Sequence, residues 1–171
     1  MASPLVINIV ELTRRPGSTK DVHVAVPAAS LDFDDARVDE SHDVAVDLQI
    51  ESVNGGLVVH GEVRAFAHAI CSRCLTDIDL VLTSDVDEIY QRVPDNPDAY
   101  PLEGEQMDLS AMVRESVLLG IPEAPLCRPD CPGLCPQCGA DLANAPCGCN
   151  AVKKDDRWAA LDALRDQLPP G

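Results

Sequence analysis

Residues 44–74 read VAVDLQIESV-NGG-LVVHGEVRAFAHAI-CSRC, and this stretch decides the fold. Val44, Val46, Leu48 and Ile50 alternate with Ala45, Asp47, Gln49 and Glu51. A period of two sends successive side chains to opposite sides of a strand, so Val44 to Val53 buries one face and wets the other. Asn54-Gly55-Gly56 supplies the positive φ that a tight hairpin needs. Leu57 to Ile70 runs back with Val59, Val63, Ala65, Ala67 and Ala69 on one face. Cys71-Ser-Arg-Cys74 falls at the next reversal, and Ile78 to Tyr90 makes a third strand with Ile78, Leu80, Leu82 and Val86 facing the same way. The expectation is an antiparallel meander whose second turn carries two cysteines.

Upstream, Leu5 to Val10 and Val22 to Val26 are short β-branched runs joined by a loop, Arg14 to Lys20, that holds Pro16 and Gly17. Leu31 to Asp43 is acidic and poorly patterned, which reads as a solvated loop. Downstream, Val93 to Gln106 carries Pro94, Pro97 and Pro101 and reads as a long loop. Asp108 is placed to cap a helix bearing Leu109, Met112, Val113 and Val117, which Gly120 and Pro122 stop. From Pro125 to Asn150 the chain turns to Cys, Pro and Gly, a composition that builds no core and needs a metal to fold. A last helix is expected from Asp155 or Asp156, with Trp158, Leu161, Leu164 and Leu168 as its stripe and Pro169-Pro170 at its end. The fold class is therefore α+β: an antiparallel β-sheet or partly open barrel with two helices and a C-terminal Cys-rich zinc-binding segment. Residues 1–122 form the β-rich unit with one helix. Residues 123–171 form the cysteine segment and terminal helix, packed on the first.

The chain of 171 residues is 46% hydrophobic, enough to bury a core. Its aromatics are Phe33, Phe66, Tyr90, Tyr100 and Trp158, so that core must be mainly aliphatic. A formal net charge of −16 repels nucleic-acid phosphates and favours a basic partner. Leu5 to Val10 is too short for a signal-peptide core, and no run has the length of a membrane helix. A cytoplasmic location is the expectation, with no membrane partner and no small-molecule substrate. Thiols stay reduced there, so the eight cysteines read as metal ligands.

Those cysteines are Cys71, Cys74, Cys127, Cys131, Cys135, Cys138, Cys147 and Cys149. In Cys135-Pro-Gln-Cys138-Gly139 the two-residue spacer lets both sulfurs face one ion, and the glycine lets the backbone turn around it. Four thiolates suit structural zinc, one or two ions in all. One partition gives a local site of Cys135, Cys138, Cys147 and Cys149, cheap in loop closure, and a second of Cys71, Cys74, Cys127 and Cys131 that pins a hairpin tip to the cysteine segment. Another pairs Cys71 and Cys74 with Cys135 and Cys138 as a split zinc ribbon. Sequence spacing leaves both open. Two sets of four leave no coordination position for water, so no metal-activated nucleophile and no enzyme is expected. Eight thiolates outweigh two dications, so metal makes the chain more acidic.

Weaker candidates have simpler readings. His60 and His68 fall on the outward strand face and read as solvated, with His68 a reserve ligand beside Cys71. The run Asp32, Asp34, Asp35, Asp39 and Glu40 lacks a calcium-loop spacing. Asp108 and Glu115 are candidate partner contacts, although capping and solvation explain them. Arg128, Lys153, Lys154 and Arg157 form the one basic group near the cysteines. No P-loop, dinucleotide glycine motif or nucleophile elbow occurs.

The order of Cys71-Ser-Arg-Cys74-Leu75, Asp108-Leu-Ser-Ala-Met-Val-Arg-Glu115, Leu118-Leu119-Gly120-Ile121-Pro122 with Pro125-Leu126-Cys127, Cys131-Pro-Gly-Leu-Cys135-Pro-Gln-Cys138-Gly139 and the Asp-Arg-Trp around Arg157 resembles the YceD family of large ribosomal RNA subunit accumulation proteins. The likeness spans roughly residues 44 to 168; Asp156 stands where the family often has proline. The resemblance implies a role in 23S ribosomal RNA accumulation and large-subunit biogenesis without a known catalytic activity. The partner expected from charge is a basic ribosomal protein or assembly factor. Direct contact with the 23S ribosomal RNA precursor through the zinc segment, including Lys153 and Lys154, and a redox thiol role for Cys71 and Cys74 are the competing readings.

Overall fold

The computed structural model describes residues 3–93, 97–144, 146–149, 157 and 161. Strands β1 (Val6–Asn8), β2 (Thr19–Pro27), β3 (Asp43–Val53), β4 (Gly56–Ile70), β5 (Asp77–Gln91), β6 (Tyr100–Pro101) and β7 (Gln106–Asp108) are joined by helices α1 (Val10–Arg14) and α2 (Ser110–Leu119). Five strands form one open sheet in the order β2-β3-β4-β5-β6, and β1 pairs with β7 in a separate ribbon. All pairs are antiparallel except β5 with β6.

The meander follows from the alternation. Val44, Val46, Leu48 and Ile50 are buried, as are Val59, Val63, Ala65 and Ala67 on β4 and Leu82, Val86 and Tyr90 on β5. Over this face lie Leu12 of α1, Met112, Val113 and Val117 of α2, and Leu5, Ile7, Ile9, Met107 and Leu109 from the ribbon region, in one cluster. Burying each such side chain contributes roughly 1.5–3 kcal/mol relative to exposure. Gly61 is required where β3 and β4 approach: its φ is +145°, and a Cβ there would lie 2.2 Å from the Asp47 carbonyl oxygen.

Several local expectations are corrected. The run Leu5 to Val10 is split, because Asn8 Oδ1 accepts the Val10 N–H at 3.1 Å and starts α1, which extends into the supposed loop as far as Arg14. Leu31, Phe33 and Val38 anchor the acidic loop in the core. They do so because β4 outlasts β3: the β3 pairing stops at Arg64, and the open edge beyond it is filled by Val38 opposite Ala67, with Asp39 N–H on Phe66 O and His68 N–H on Arg37 O. The proline-rich stretch holds β6, whose Tyr100 stacks on Tyr90 at 5.0 Å. Asp108 belongs to β7 and accepts the Ser110 N–H at 2.9 Å, so it sets the turn before α2 while Leu109 occupies the cap position. The expected terminal helix, with Trp158, Leu164 and Leu168, lies outside the described residues, as do Lys153 and Lys154.

Candidate metal centres

The turn between β4 and β5 builds the first half of the site. Cys71 N–H bonds Thr76 O at 2.9 Å and Leu75 N–H bonds Cys71 O at 2.9 Å, closing a tight knuckle with Leu75 at φ +61°. The core carries the partner segment to it. Helix α2 packs on β5, where the Ser84 hydroxyl donates to Ser116 O at 2.8 Å and a Cβ on Gly120 would lie 2.4 Å from Ser84 Oγ. Ile121, buried, then turns the chain back across the sheet end. There Pro125 O accepts both the Ser72 N–H at 2.9 Å and the Ser72 hydroxyl at 2.7 Å.

Four sulfurs, those of Cys71, Cys74, Cys127 and Cys131, converge so that all lie within 4.8 Å of one another. Cys71 Sγ is 3.8 Å from Cys131 Sγ, and Cys74 Sγ is 3.6 Å from Cys127 Sγ. A tetrahedral ion with sulfur bonds of about 2.3 Å has sulfur–sulfur edges of roughly 3.8 Å. A disulfide would need about 2.05 Å. The donors therefore fit one tetrathiolate cation, and Cys71 and Cys74 are members of a four-sulfur nest rather than an isolated dithiol. Cys71 and Cys131 are buried, so this nest is sunk into the sheet end.

Cys135, Cys138, Cys147 and Cys149 form a second nest with the same spacing limit. Its knuckle repeats the first: Cys135 N–H bonds Ala140 O and Gly139 N–H bonds Cys135 O, each at 2.8 Å, with Gly139 at φ +72°. Asp141 ties the following turn by accepting from Ala143 N–H and the Asn144 amide. The grouping is the one that pairs the hairpin tip with Cys127 and Cys131; the split-ribbon pairing of Cys71 and Cys74 with Cys135 and Cys138 does not occur.

Arg73 joins the two nests. Its guanidinium donates to Cys131 O at 2.9 Å, while its carbonyl accepts the Leu134 N–H at 3.0 Å. Gly133, φ +73°, lies against it so closely that a Cβ would be 2.9 Å from Arg73 O. Arg73 and Pro125 stand within the motifs that carry the resemblance, yet nothing in the spacing gives either a role; the position of Arg73 inside the Cys-x-x-Cys spacer is the available signal.

The thiol acidities show what such crowding does. Backbone N–H groups of Cys127, Cys74 and Arg73 aimed at Cys71 Sγ lower its thiol to about 6. Cys127, hydrogen-bonded to Cys131 and desolvated, is pushed up to about 12. In the second nest the N–H groups of Cys138 and Gln137 lower Cys135 to about 6, and the hydrogen bond to Cys138 pushes Cys149 up to about 12. Cys74 is also lowered, chiefly by the Thr76 hydroxyl, whereas Cys131 and Cys147 are raised, so each nest holds thiols pushed in opposite directions. A divalent cation favours the thiolate throughout and lets all four act as ligands.

The other candidates fall elsewhere. His68 is in neither nest: Nδ1 bonds Asp79 at 2.7 Å and Nε2 faces Asp39 at 3.2 Å. His60 pairs with Asp87 at 3.1 Å, so both histidines are carboxylate partners rather than merely solvated. Asp35 pairs with Arg37 and Asp39 with His42, accounting for two members of the acidic run. Glu115 accepts a hydrogen bond from the Tyr100 hydroxyl, and Arg128 pairs with Asp130 at 3.4 Å.

Against this geometry, the model of the family described as "Large ribosomal RNA subunit accumulation protein YceD" matches residues 59–165. The chain belongs to the YceD family. An uncharacterised protein of Mycobacterium tuberculosis is 35% identical over 169 residues, covering 94% of this chain and 81% of its own length. A counterpart from Mycobacterium leprae is 31% identical over 179 residues, covering 99% and 82%. The chloroplastic "Large ribosomal RNA subunit accumulation protein YCED homolog 1" of Arabidopsis thaliana is 35% identical over 69 residues, 40% of this chain and 22% of its own. No solved structure matches the chain. The YceD name ties its members to large-subunit ribosomal RNA accumulation, an accessory role. Among the described residues, no helix is long and apolar enough to cross a membrane.

Proposed function

We propose that this YceD protein is a non-catalytic accessory factor of large-subunit assembly that promotes 23S ribosomal RNA accumulation in a reducing, cytoplasmic compartment. It binds a basic ribosomal protein or assembly factor through the outer face of its sheet, and two structural zinc ions fix its C-terminal segment. The observation that carries the reading is a row of carboxylates. Asp47 sits opposite Glu62, and Glu62 opposite Asp85, on three adjacent strands. Like charges directly opposite one another weaken strand pairing. Arg64 offsets part of this by bridging Asp47 at 2.8 Å and Glu62 at 2.9 Å. Asp85 makes no ion pair among the described residues, and the exposed Asp79 and Asp87 flank it. A cationic partner relieves that repulsion on docking and gains complementary charge.

The test is affinity capture from cells at low and high salt, with wild type and a Glu62→Gln/Asp85→Asn variant. A basic ribosomal or assembly protein retained at low salt, released at high salt and lost with the variant is the expected result. Recovery of RNA with no protein partner, insensitive to salt, overturns it. Metal analysis of the same sample should give two zinc ions per chain.

A further inference from the structure

A pocket of opposite charge lies beside the edge strand β2. Between α1 and β2 is a cavity of about 870 Å³ lined by Arg14, Arg15, Ser18, Thr19 and Lys20, with Glu11 as its one carboxylate. The chain has 13 lysines and arginines against 29 acidic residues, yet three of those cations fall within residues 14–20, where no acidic residue intervenes. Arg37, Arg64 and Arg128 are spoken for by carboxylates. Arg14 and Arg15 make no ion pair among the described residues. Lys20 Nζ donates to the Asn8 carbonyl at 3.2 Å, which holds it over the cavity without neutralising it.

The wall is built rather than incidental. The buried Ser52 of β3 clamps the loop through both its backbone groups, accepting the Gly17 N–H at 2.7 Å and donating to Ser18 O at 2.9 Å. Ser18 Oγ closes the turn on Arg15 O at 2.7 Å, and Gly17 takes φ +83°. A short loop fixed at its middle presents two guanidinium forks and an ammonium to one space, a donor set that matches tetrahedral oxyanions.

We propose that this cavity binds phosphate oxyanions of an RNA strand. Placed on an acidic protein, it gives a contact in which general electrostatics repel RNA while one cleft attracts a short run of its backbone. Such an arrangement takes up two or three phosphates at one place and discourages spread along the strand. The family's tie to large-subunit ribosomal RNA supplies the source of those phosphates; the pocket itself does not depend on the sheet face that binds a basic protein.

The test uses the full metal-loaded chain with a labelled single-stranded RNA of about 20 nucleotides, a length well beyond the few phosphates such a contact covers. Three cation–phosphate contacts predict that log K falls against log salt with a slope of about −2. Arg14→Gln/Arg15→Gln/Lys20→Gln should weaken binding at least tenfold and flatten that slope. Arg92→Gln/Arg114→Gln, which removes the exposed Arg92 and the half-buried Arg114 elsewhere, should stay within twofold. Unchanged zinc content and circular dichroism establish that the triple variant is folded; Arg15→Gln alone, expected to cost severalfold, serves if it is not. A second arm titrates inorganic phosphate. Millimolar phosphate that displaces RNA completely from the wild type would reassign the site to free phosphate and overturn the RNA proposal, as would a triple variant that binds RNA like wild type. Glu62→Gln/Asp85→Asn should leave RNA affinity unreduced, which separates failure here from failure of the protein-binding reading.

Discussion

The two Cys-x-x-Cys knuckles have the same backbone and different surroundings. In each, the first cysteine's carbonyl accepts the N–H four residues on, its own N–H bonds the carbonyl five residues on, and the fifth residue is left-handed. The first knuckle sits on two strands whose pairing runs from Leu57–Tyr90 to Ile70–Asp77. The second sits in a segment whose secondary structure among the described residues amounts to a single bridge, Leu134 with Asp141. Where a sheet already fixes the turn, the metal nest can be buried and can tolerate leucine at the left-handed position. Where nothing else fixes it, the position is glycine. A metal in the first nest would therefore couple to tertiary structure, and one in the second to its own local fold.

The largest expected effect breaks that comparison. Cys71→Ser removes a buried ligand that closes the sheet end on residues 125–134, and structural tetrathiolate binding is worth on the order of 10 kcal/mol of folding free energy. The variant should lose one ion and lower the melting temperature of the sheet itself. Cys138→Ser, at an exposed position, should also lose one ion while leaving the sheet's melting temperature near wild type. Metal analysis with thermal circular dichroism measures both. Equal losses of sheet stability in the two variants would show that the nests act as a unit.

A smaller effect sharpens it. Gly133→Ala forces a Cβ to 2.9 Å from Arg73 O at φ +73°, whereas Gly139→Ala meets nothing within 4 Å and bears the φ penalty alone. The first should cost about 2–3 kcal/mol and the second about 1 kcal/mol. Chelator competition followed by thiol release should order them that way. Leu75→Gly acts in the opposite sense. Relief of about 1–2 kcal/mol of left-handed strain is partly cancelled by the about 0.5–1 kcal/mol entropy cost of glycine, so a gain of up to about 1 kcal/mol in denaturant unfolding is expected.

What could be read beforehand tracks the physics. The meander was legible because alternation at Val44–Ile50 and a glycine hairpin act locally. That the eight cysteines gather into two sets of four was legible as a possibility, because Cys-x-x-Cys spacing brings two sulfurs to one point. Which four go together was not, because the choice between partitions depends on α2 ending at Gly120 against Ser84 and delivering Pro125 to Ser72, a long-range contact. The segment 31–43 is a loop, as its composition indicates, but its anchors Leu31, Phe33 and Val38 were not legible because they follow no period; they fill an edge that exists only because β4 is longer than β3. The cation cavity was overlooked because Arg14 to Lys20 looks like any polar loop until Ser52 clamps it.

The smallest expected effect concerns pH and sets the metal-bearing turn against the strand leading into it. His68, three residues before Cys71, has its pKa raised above the ordinary 6.5, chiefly by the hydrogen bond to Asp79, with Asp39 adding charge. Arg37, Asp77 and the apolar Ile70 and Ile78 line the same shallow cleft. Because the folded value exceeds the unfolded one, the stabilisation is complete below pH 6.5 and fades as pH rises through the raised folded value. Metal ligation runs the other way, since thiolates form more readily as pH rises. Apparent stability of the β4–β5 end should therefore lose a small histidine contribution over the same interval in which chelator resistance grows. NMR titration of the His68 ring should show a midpoint above 6.5 that falls in Asp79→Asn, while chelator resistance at fixed pH stays unchanged. A midpoint unaffected by that substitution would mean that Asp79 does not hold the ring in solution.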